Sequence, residues 1–337
     1  MNLKSLWIIK GEDMNEKLKD IGEGYSHSKL ILTGEHGVVY GKPAIAIPFP
    51  LKVKCTTKNY DGGIRFESSI YTGDINDMPV KLRGLSLVLE EALTILNKPH
   101  EGLLINIYSE IPIGRGLGSS ASIATAIVRS LFSFYGQNLT KEQLFYLVNI
   151  GERYAHGNPS GIDMEVVSSE EAIYFKKDKK VQYIKSAKPF YIVVGDSGKI
   201  GDTRKAVENV HHRSLLNPHK MKFYIDEMEK LVEKSKDAFL AGNMDLLGDL
   251  LNSNQEILEN MGVSDESLDV LIKTARKNGA LGAKLTGGGL GGCIIALSNS
   301  LEDGKLISQE LINSGAVKSW CFSTKENKLY TFEKMED

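Results

Sequence analysis

The chain has 337 residues, 42% hydrophobic and 25% charged, with a formal net charge of −2. Length and composition predict a soluble globular protein of two domains, and the near-neutral balance supplies no basic field for nucleic acid or a membrane surface. Three scattered cysteines, Cys55, Cys293 and Cys321, form neither a metal spacing nor a disulfide framework, which fits a reducing cytoplasm, and no apolar run is long enough to span a bilayer.

Residues 1–25 are polar with one short apolar patch, compatible with a strand or a loose extension. The patch is brief and Glu12 and Asp13 follow it, unlike a signal peptide. Residues 29–32 read as a strand entering a turn that carries Gly34, Glu35, His36 and Gly37. Residues 44–47 and 51–57 read as further strands, and 83–96 as a helix with Leu85, Val88, Leu89 and Leu93 on one face. Lys29 at a strand start is ordinarily a solvated residue, Glu35 could be a turn acid, and His36 a structural histidine.

The alternation of Leu103, Ile105 and Ile107 predicts a strand, and Ile123, Ile127, Leu131 and Phe134 predict a helix ending near Gly136. Between them lie Gly114, Gly116 and Gly118, followed at once by Ser119 and Ser120. A glycine loop opening a helix lets backbone N–H groups and the helix terminus converge on an anion. The two hydroxyls can cap the helix, or reach a phosphate or Mg²⁺. The loop is not a Walker loop, since no lysine precedes the serines, nor a dinucleotide fingerprint, since Ser119 replaces its last glycine. A glycine turn with a serine cap is the plain alternative.

Residues 141–155 form the next expected helix. Glu152 lies on the stripe of Leu144 and Val148, either at its edge reaching water or as a metal-ligating carboxylate. The turn of Gly157, Asn158, Pro159, Ser160 and Gly161 then presents Asp163 as a turn or cap acid, or as a general base on a rigid loop. A hairpin is expected over 172–175 and 181–184, and a polar joint with a proline, 185–189, marks the domain boundary.

Beyond it the pattern predicts a strand over 190–194, a segment leading to Thr203 at a helix start, and helices over 221–241, 244–261 and 265–278. A second glycine loop, with five glycines in six positions from Gly287 to Gly292, separates strands near 283–285 and 293–297. So many glycines imply close backbone approach, to a phosphate or to the first loop. A helix over 303–313 and strands over 319–323 and 329–332 complete an α+β pattern in both halves. Together these are the parts phosphoryl transfer needs: a glycine cradle, hydroxyl and carboxylate oxygens for Mg²⁺, a base and a lysine.

Four blocks, in order, carry a resemblance. They are the stretch 29–41 with Pro43 and Ala44, then 112–121, then 157–163, and then 284–292. They resemble the GHMP kinase superfamily and, within it, its mevalonate-phosphorylating branch. The resemblance implies a two-domain fold, with a ribosomal protein S5 domain 2-like part over 1–186 and a ferredoxin-like part over 187–337. It implies ATP as co-substrate and Mg²⁺ as cofactor, a cytoplasmic enzyme of the mevalonate route to isoprenoids, and a homodimer as a family expectation. By position, Gly114, Arg115, Gly116, Leu117, Gly118, Ser119 and Ser120 would cradle the ATP phosphates, with Ser120 and Glu152 on the metal. Asp163 would be the base for the 5-hydroxyl of mevalonate and Lys29 its electrostatic partner. Glu35, His36 and Thr203 would serve the substrate, and Gly287, Gly288 and Gly289 would close over it.

The chain departs from the family pattern in the residues before its first block and in Arg115, which stands where many relatives carry a small residue. Arg115 could add a charge near the phosphates or point into solvent. Competing readings are another GHMP small-molecule kinase, acting on phosphomevalonate, the mevalonate 3-hydroxyl, galactose or homoserine, and a non-catalytic nucleotide-binding relative. Val38, Val39 and Tyr40 after the Gly-Glu-His argue against galactose, and the retained Lys29, Glu152 and Asp163 argue against lost catalysis.

Overall fold

The computed structural model describes residues 19–157 and 159–334, so the first eighteen residues of the stretch 1–25 read as a strand or a loose extension, and Asn158, lie outside the described residues, while residues 22–25 are strand. The chain divides into two compact units, one of residues 19–28, 51–111 and 119–168, the other of 29–50, 112–118 and 169–334.

The first two strands are β1 (Gly22–Thr33) and β2 (Ala44–Asn59), and each contributes to both units. The segments expected as separate strands at 44–47 and 51–57 are thus one strand, carried through Pro48 and Pro50. β1 begins earlier than the hydropathy pattern indicates because Gly22 and Gly24 lie directly on a helix backbone. A Cβ on Gly24 would sit 2.1 Å from the carbonyl oxygen of Ala126.

In the first unit, β3 (Ile64–Glu67) and β4 (Thr72–Asp74) are short strands that the hydropathy pattern does not signal. They lead to α1 (Arg83–Leu96), ended by Asn97 in the left-handed conformation, and to β5 (Leu103–Ser109). The strand order is β4-β3-β5-β2, with β3 and β5 parallel and the other pairs antiparallel. The parallel pair requires a crossover, and α1 provides it. Next come α2 (Ser119–Phe134), α3 (Lys141–His156) and α4 (Ile162–Val167). Thr140 and Gln143 close a reciprocal capping box at the start of α3. Helices α1, α2 and α3 pack against one another, and α4 against α2 and α3.

In the second unit, β6 (Ala172–Phe175) and β7 (Gln182–Ile184) extend from the first part of β2. Then follow β8 (Tyr191–Asp196), α5 (Thr203–Leu216), α6 (Pro218–Ala241), α7 (Met244–Met261) and α8 (Glu266–Lys277). The last elements are β9 (Gly282–Thr286), β10 (Cys293–Ser298), α9 (Leu301–Asn313), β11 (Lys318–Ser323) and β12 (Lys328–Glu333). Asn217, Asn243, Asp265 and Ser300 cap α6, α7, α8 and α9 by accepting backbone N–H groups. The sheet runs β12-β11-β8-β10-β9, all antiparallel. Without β12, its order by chain position is fourth, first, third, second, the ferredoxin-like arrangement.

Strand β10 is buried throughout and apolar from Cys293 to Leu297, and β8 is buried from Ile192 to Asp196. All three cysteines are buried and free. Burial pushes the Cys55 thiol up to about 12 and that of Cys321 up to about 11, so neither is a nucleophile at neutral pH. Among the described residues no helix is long and apolar enough to cross a membrane.

Candidate active site

In the second unit the two glycine loops interlock. Gly116 and Gly287 both have positive φ, 76° and 84°. A Cβ on Gly116 would lie 2.9 Å from the carbonyl oxygen of Thr286, and one on Gly287 would lie 2.9 Å from Cα of Gly116. Of the five glycines of the second loop, Gly287 and Gly292 face the backbone of the first loop, one of the two readings the composition left open, whereas Gly288, Gly289 and Gly291 meet Thr203, Val263 and the stretch of Lys199 and Ile200.

Strand β1 delivers Lys29 to this junction. Its backbone N–H donates to the carbonyl oxygen of Leu117, 3.1 Å away, and the residue is only 3% exposed. The solvated surface lysine of the plain reading is thus a buried one. Further along β1, Thr286 Oγ1 accepts from the N–H of Ile31 and donates to its carbonyl, at 3.0 and 3.1 Å. These bonds fix the register between the strand carrying Lys29 and the second loop.

The turn after β1 is equally constrained. Gly34 has φ 100°, and its N–H donates to Asn254 Oδ1 at 3.3 Å. Glu35 is buried and its carboxylate accepts from Lys284 Nζ, on a lysine with no exposure at all. Burial pushes the Glu35 carboxyl up and the Lys284 ammonium down, each opposed first by the charge of the other. His36 adopts φ 60°, rare for a residue with a Cβ, and its Nε2 lies 2.9 Å from the carbonyl oxygen of Gly288. A carbonyl only accepts, so Nε2 carries the proton. Burial lowers the imidazole to about 4, against the pull of that hydrogen bond, and His36 is neutral at pH 7.

Thr203 opens α5, but Asp202 is the cap, accepting the N–H of Lys205 at 2.9 Å. Thr203 instead packs on the second loop, where a Cβ on Gly288 would lie 2.5 Å from its Oγ1. The structure thus brings His36, Gly288 and Thr203 together. Gly289 approaches Val263 in the same way.

The remaining candidates belong to the first unit. Ser119 and Ser120 form the first turn of α2. Glu152 lies in the last turns of α3, which packs against α2, and at 4% exposure it is not the water-reaching stripe edge. His156 Nε2 lies 4.0 Å from its Oε2. Asp163 is in the first turn of α4, with Gly161 in the cap position, so it is not the cap acid.

Sequence reasoning missed Lys284, Asn254 and the partner of Arg115. Lys284 had a signal: one charge inside a strand flanked by Gly282, Ala283, Leu285 and Thr286, where burial demands an opposite charge. Arg115 is mostly covered, its side chain 15% exposed, and its Nε lies 2.7 and 3.0 Å from the two carboxylate oxygens of Asp196.

Family models for the GHMP kinase N-terminal and C-terminal domains match residues 83–169 and 235–317. The class is that of the two-domain GHMP kinases. A mevalonate kinase of Pyrococcus furiosus is 35% identical over 298 residues, covering 80% of this chain and 87% of the relative. The L. major mevalonate kinase in complex with R-mevalonate superimposes with a TM-score of 0.79 at 26% identity, covering 95% of this chain and 99% of the other. The Methanococcus jannaschii mevalonate kinase does so with a TM-score of 0.73 at 26% identity, over 97% and 100% of the two chains. The chain belongs to the mevalonate kinase family.

Proposed function

We infer that the protein transfers a phosphoryl group from ATP to the 5-hydroxyl of (R)-mevalonate. The observation that carries this reading is the junction of the two glycine loops with the buried Lys29, in a chain 35% identical to a mevalonate kinase. Phosphorus NMR of the product formed from Mg-ATP and (R)-mevalonate should show a 5-phosphate. A 3-phosphate, or turnover of galactose or homoserine but not mevalonate, refutes it.

In this reading the backbone N–H groups from Gly114 to Ser120 hold the ATP phosphates, aided by the start of α2. Mg²⁺ suits the site because its donors are oxygens, a hydroxyl at Ser120 and a buried carboxylate at Glu152 on two helices that pack together. Among the described residues no group of three or more His, Cys, Asp or Glu side chains gathers around a metal position. That fits an ion which takes one or two carboxylates and completes its shell with phosphates and water. Ser120 and Glu152 would hold it, and it would offset negative charge on the phosphates.

Asp163 takes the proton of the attacking hydroxyl, and Lys29 stabilises negative charge on that oxygen and on the transferring group. Neutral His36 cannot repel the Lys29 ammonium, and its proton is committed to Gly288. Glu35 Oε2 is buried without a hydrogen-bond partner among the described residues, the kind of acceptor a bound hydroxyl satisfies. Thr203 and Gly287, Gly288 and Gly289 complete the substrate side. We further propose the domain division at 186/187, which the two matched segments flank, a cytoplasmic location and a homodimer.

A further inference from the structure

Arg115 lies inside the proposed phosphate loop, and two nitrogens of its guanidinium, Nε and Nη2, are spent on protein, while Nη1 is buried without a hydrogen-bond partner among the described residues. Nε donates between the two oxygens of Asp196, and Nη2 donates to the carbonyl oxygen of Gly198 at 2.8 Å. Asp196, at the end of β8 and 3% exposed, also accepts the N–H of Gly198 at 2.8 Å. Further bonds tie the same three segments. The N–H of Gly201 donates to the carbonyl of Gly114 at 2.8 Å, and the N–H of Gly292 to that of Lys199 at 2.8 Å. Ser197 Oγ donates to the carbonyl of Gly292 at 2.7 Å. A Cβ on Gly292 would lie 2.9 Å from the carbonyl oxygen of Arg115 itself.

We propose that Arg115 is a positioning residue: through Asp196 and Gly198 it locks the phosphate loop to the segment that leads into Thr203, so that the loop is already shaped when nucleotide arrives. The proposal rests on the reading of that loop as the ATP phosphate cradle. The chemistry favours arginine here. Its planar fork reaches a carboxylate and a carbonyl at once, which a lysine ammonium does not reproduce. The charge is paired with a buried aspartate, and the bonds from Nε and Nη2 act on loop shape. A loop held in its bound form loses less conformational freedom on binding.

The test uses the full chain with Mg-ATP as the probe, in Arg115→Met, Asp196→Asn, the double variant and Arg115→Lys. Each single variant should weaken Mg-ATP binding about tenfold by calorimetry, and the double variant should be no worse than about tenfold, because both members of one pair are gone. Mevalonate affinity should stay within about twofold. Arg115→Lys, which keeps the charge and the fold, should recover only part of the loss. In nucleotide-free protein, hydrogen exchange at the amides of Gly116 and Gly118 should speed up in Arg115→Met. Unchanged exchange together with unchanged Mg-ATP affinity in Arg115→Lys and Arg115→Met overturns the proposal, as does a double variant weakened about a hundredfold, the sum of two independent sites. Wild-type protein that binds no Mg-ATP would instead sink the phosphate-loop reading, while the exchange measurement still decides the clamp.

Discussion

Lys284→Met removes the ammonium from a pair that has essentially no contact with water, with side-chain exposures of 0% for Lys284 and 1% for Glu35. Breaking such a pair from one side costs about 3–5 kcal/mol, because the remaining charge is stranded. Glu35 has an escape, which is to take up a proton. From an ordinary carboxyl value of 4.5, holding it neutral at pH 7 costs at most about 3.4 kcal/mol, and at pH 5 about 0.7. The sign follows. In the variant the folded-state value of Glu35 is raised above its unfolded value, so that stability is full below 4.5 and is lost as pH rises through the folded value. The gap between wild type and Lys284→Met should therefore shrink by roughly 2 kcal/mol between pH 7 and pH 5. Urea unfolding at the two pH values, followed by two probes to check that a single transition is seen, measures it. Adding Glu35→Gln to Lys284→Met should return part of the loss at pH 7, since no charge is then stranded. A cost below about 1 kcal/mol at pH 7, or a gap that does not move with pH, would show that the pair is not the buried ionic contact described here.

Asp163→Asn should lower kcat by about 10²–10⁴-fold while Mg-ATP affinity, by calorimetry, stays within a few fold; near-normal kcat leaves Asp163 a turn residue. Lys29→Met should lower kcat by about 10–10³-fold and mevalonate affinity much less, and arginine should rescue it poorly; a loss confined to mevalonate binding would make Lys29 a substrate-holding residue. Glu152→Gln should raise the Mg²⁺ concentration needed for half-maximal rate, with circular dichroism unchanged; an unaltered metal titration removes Glu152 from the metal. His36 falls from 6.5 unfolded to about 4 folded, so its contribution is present above pH 6.5 and lost as pH falls toward 4. Over that window it amounts to roughly 3 kcal/mol, and His36→Gln should flatten the pH dependence of urea stability by about that much.

What was legible in the chain was whatever depends on a short span. The interlocked glycines at Gly116 and Gly287 could be found because each needs a backbone conformation that its own residue type must supply. Helix α3 announced itself through the apolar stripe of Leu144 and Val148, and β10 through an unbroken apolar run from Cys293 to Leu297. The short strands β3 and β4 did not, since three or four residues carry too little periodicity to separate from a loop. The start of β1 was hidden for another reason: Gly22 and Gly24 are there for the backbone of α2, which local pattern does not record. Side-chain partners were hardest. Lys284 in an apolar strand does declare that some carboxylate must meet it, but the chain offers 43 acidic residues, and Glu35 lies 249 positions away. Arg115 posed the same problem with 81 intervening steps to Asp196. Burial turns each of these charges into a demand for one partner, and only the fold chooses it. The chemistry of the proposed site could therefore be read from its motifs, whereas the ion pairs that hold those motifs in shape could not.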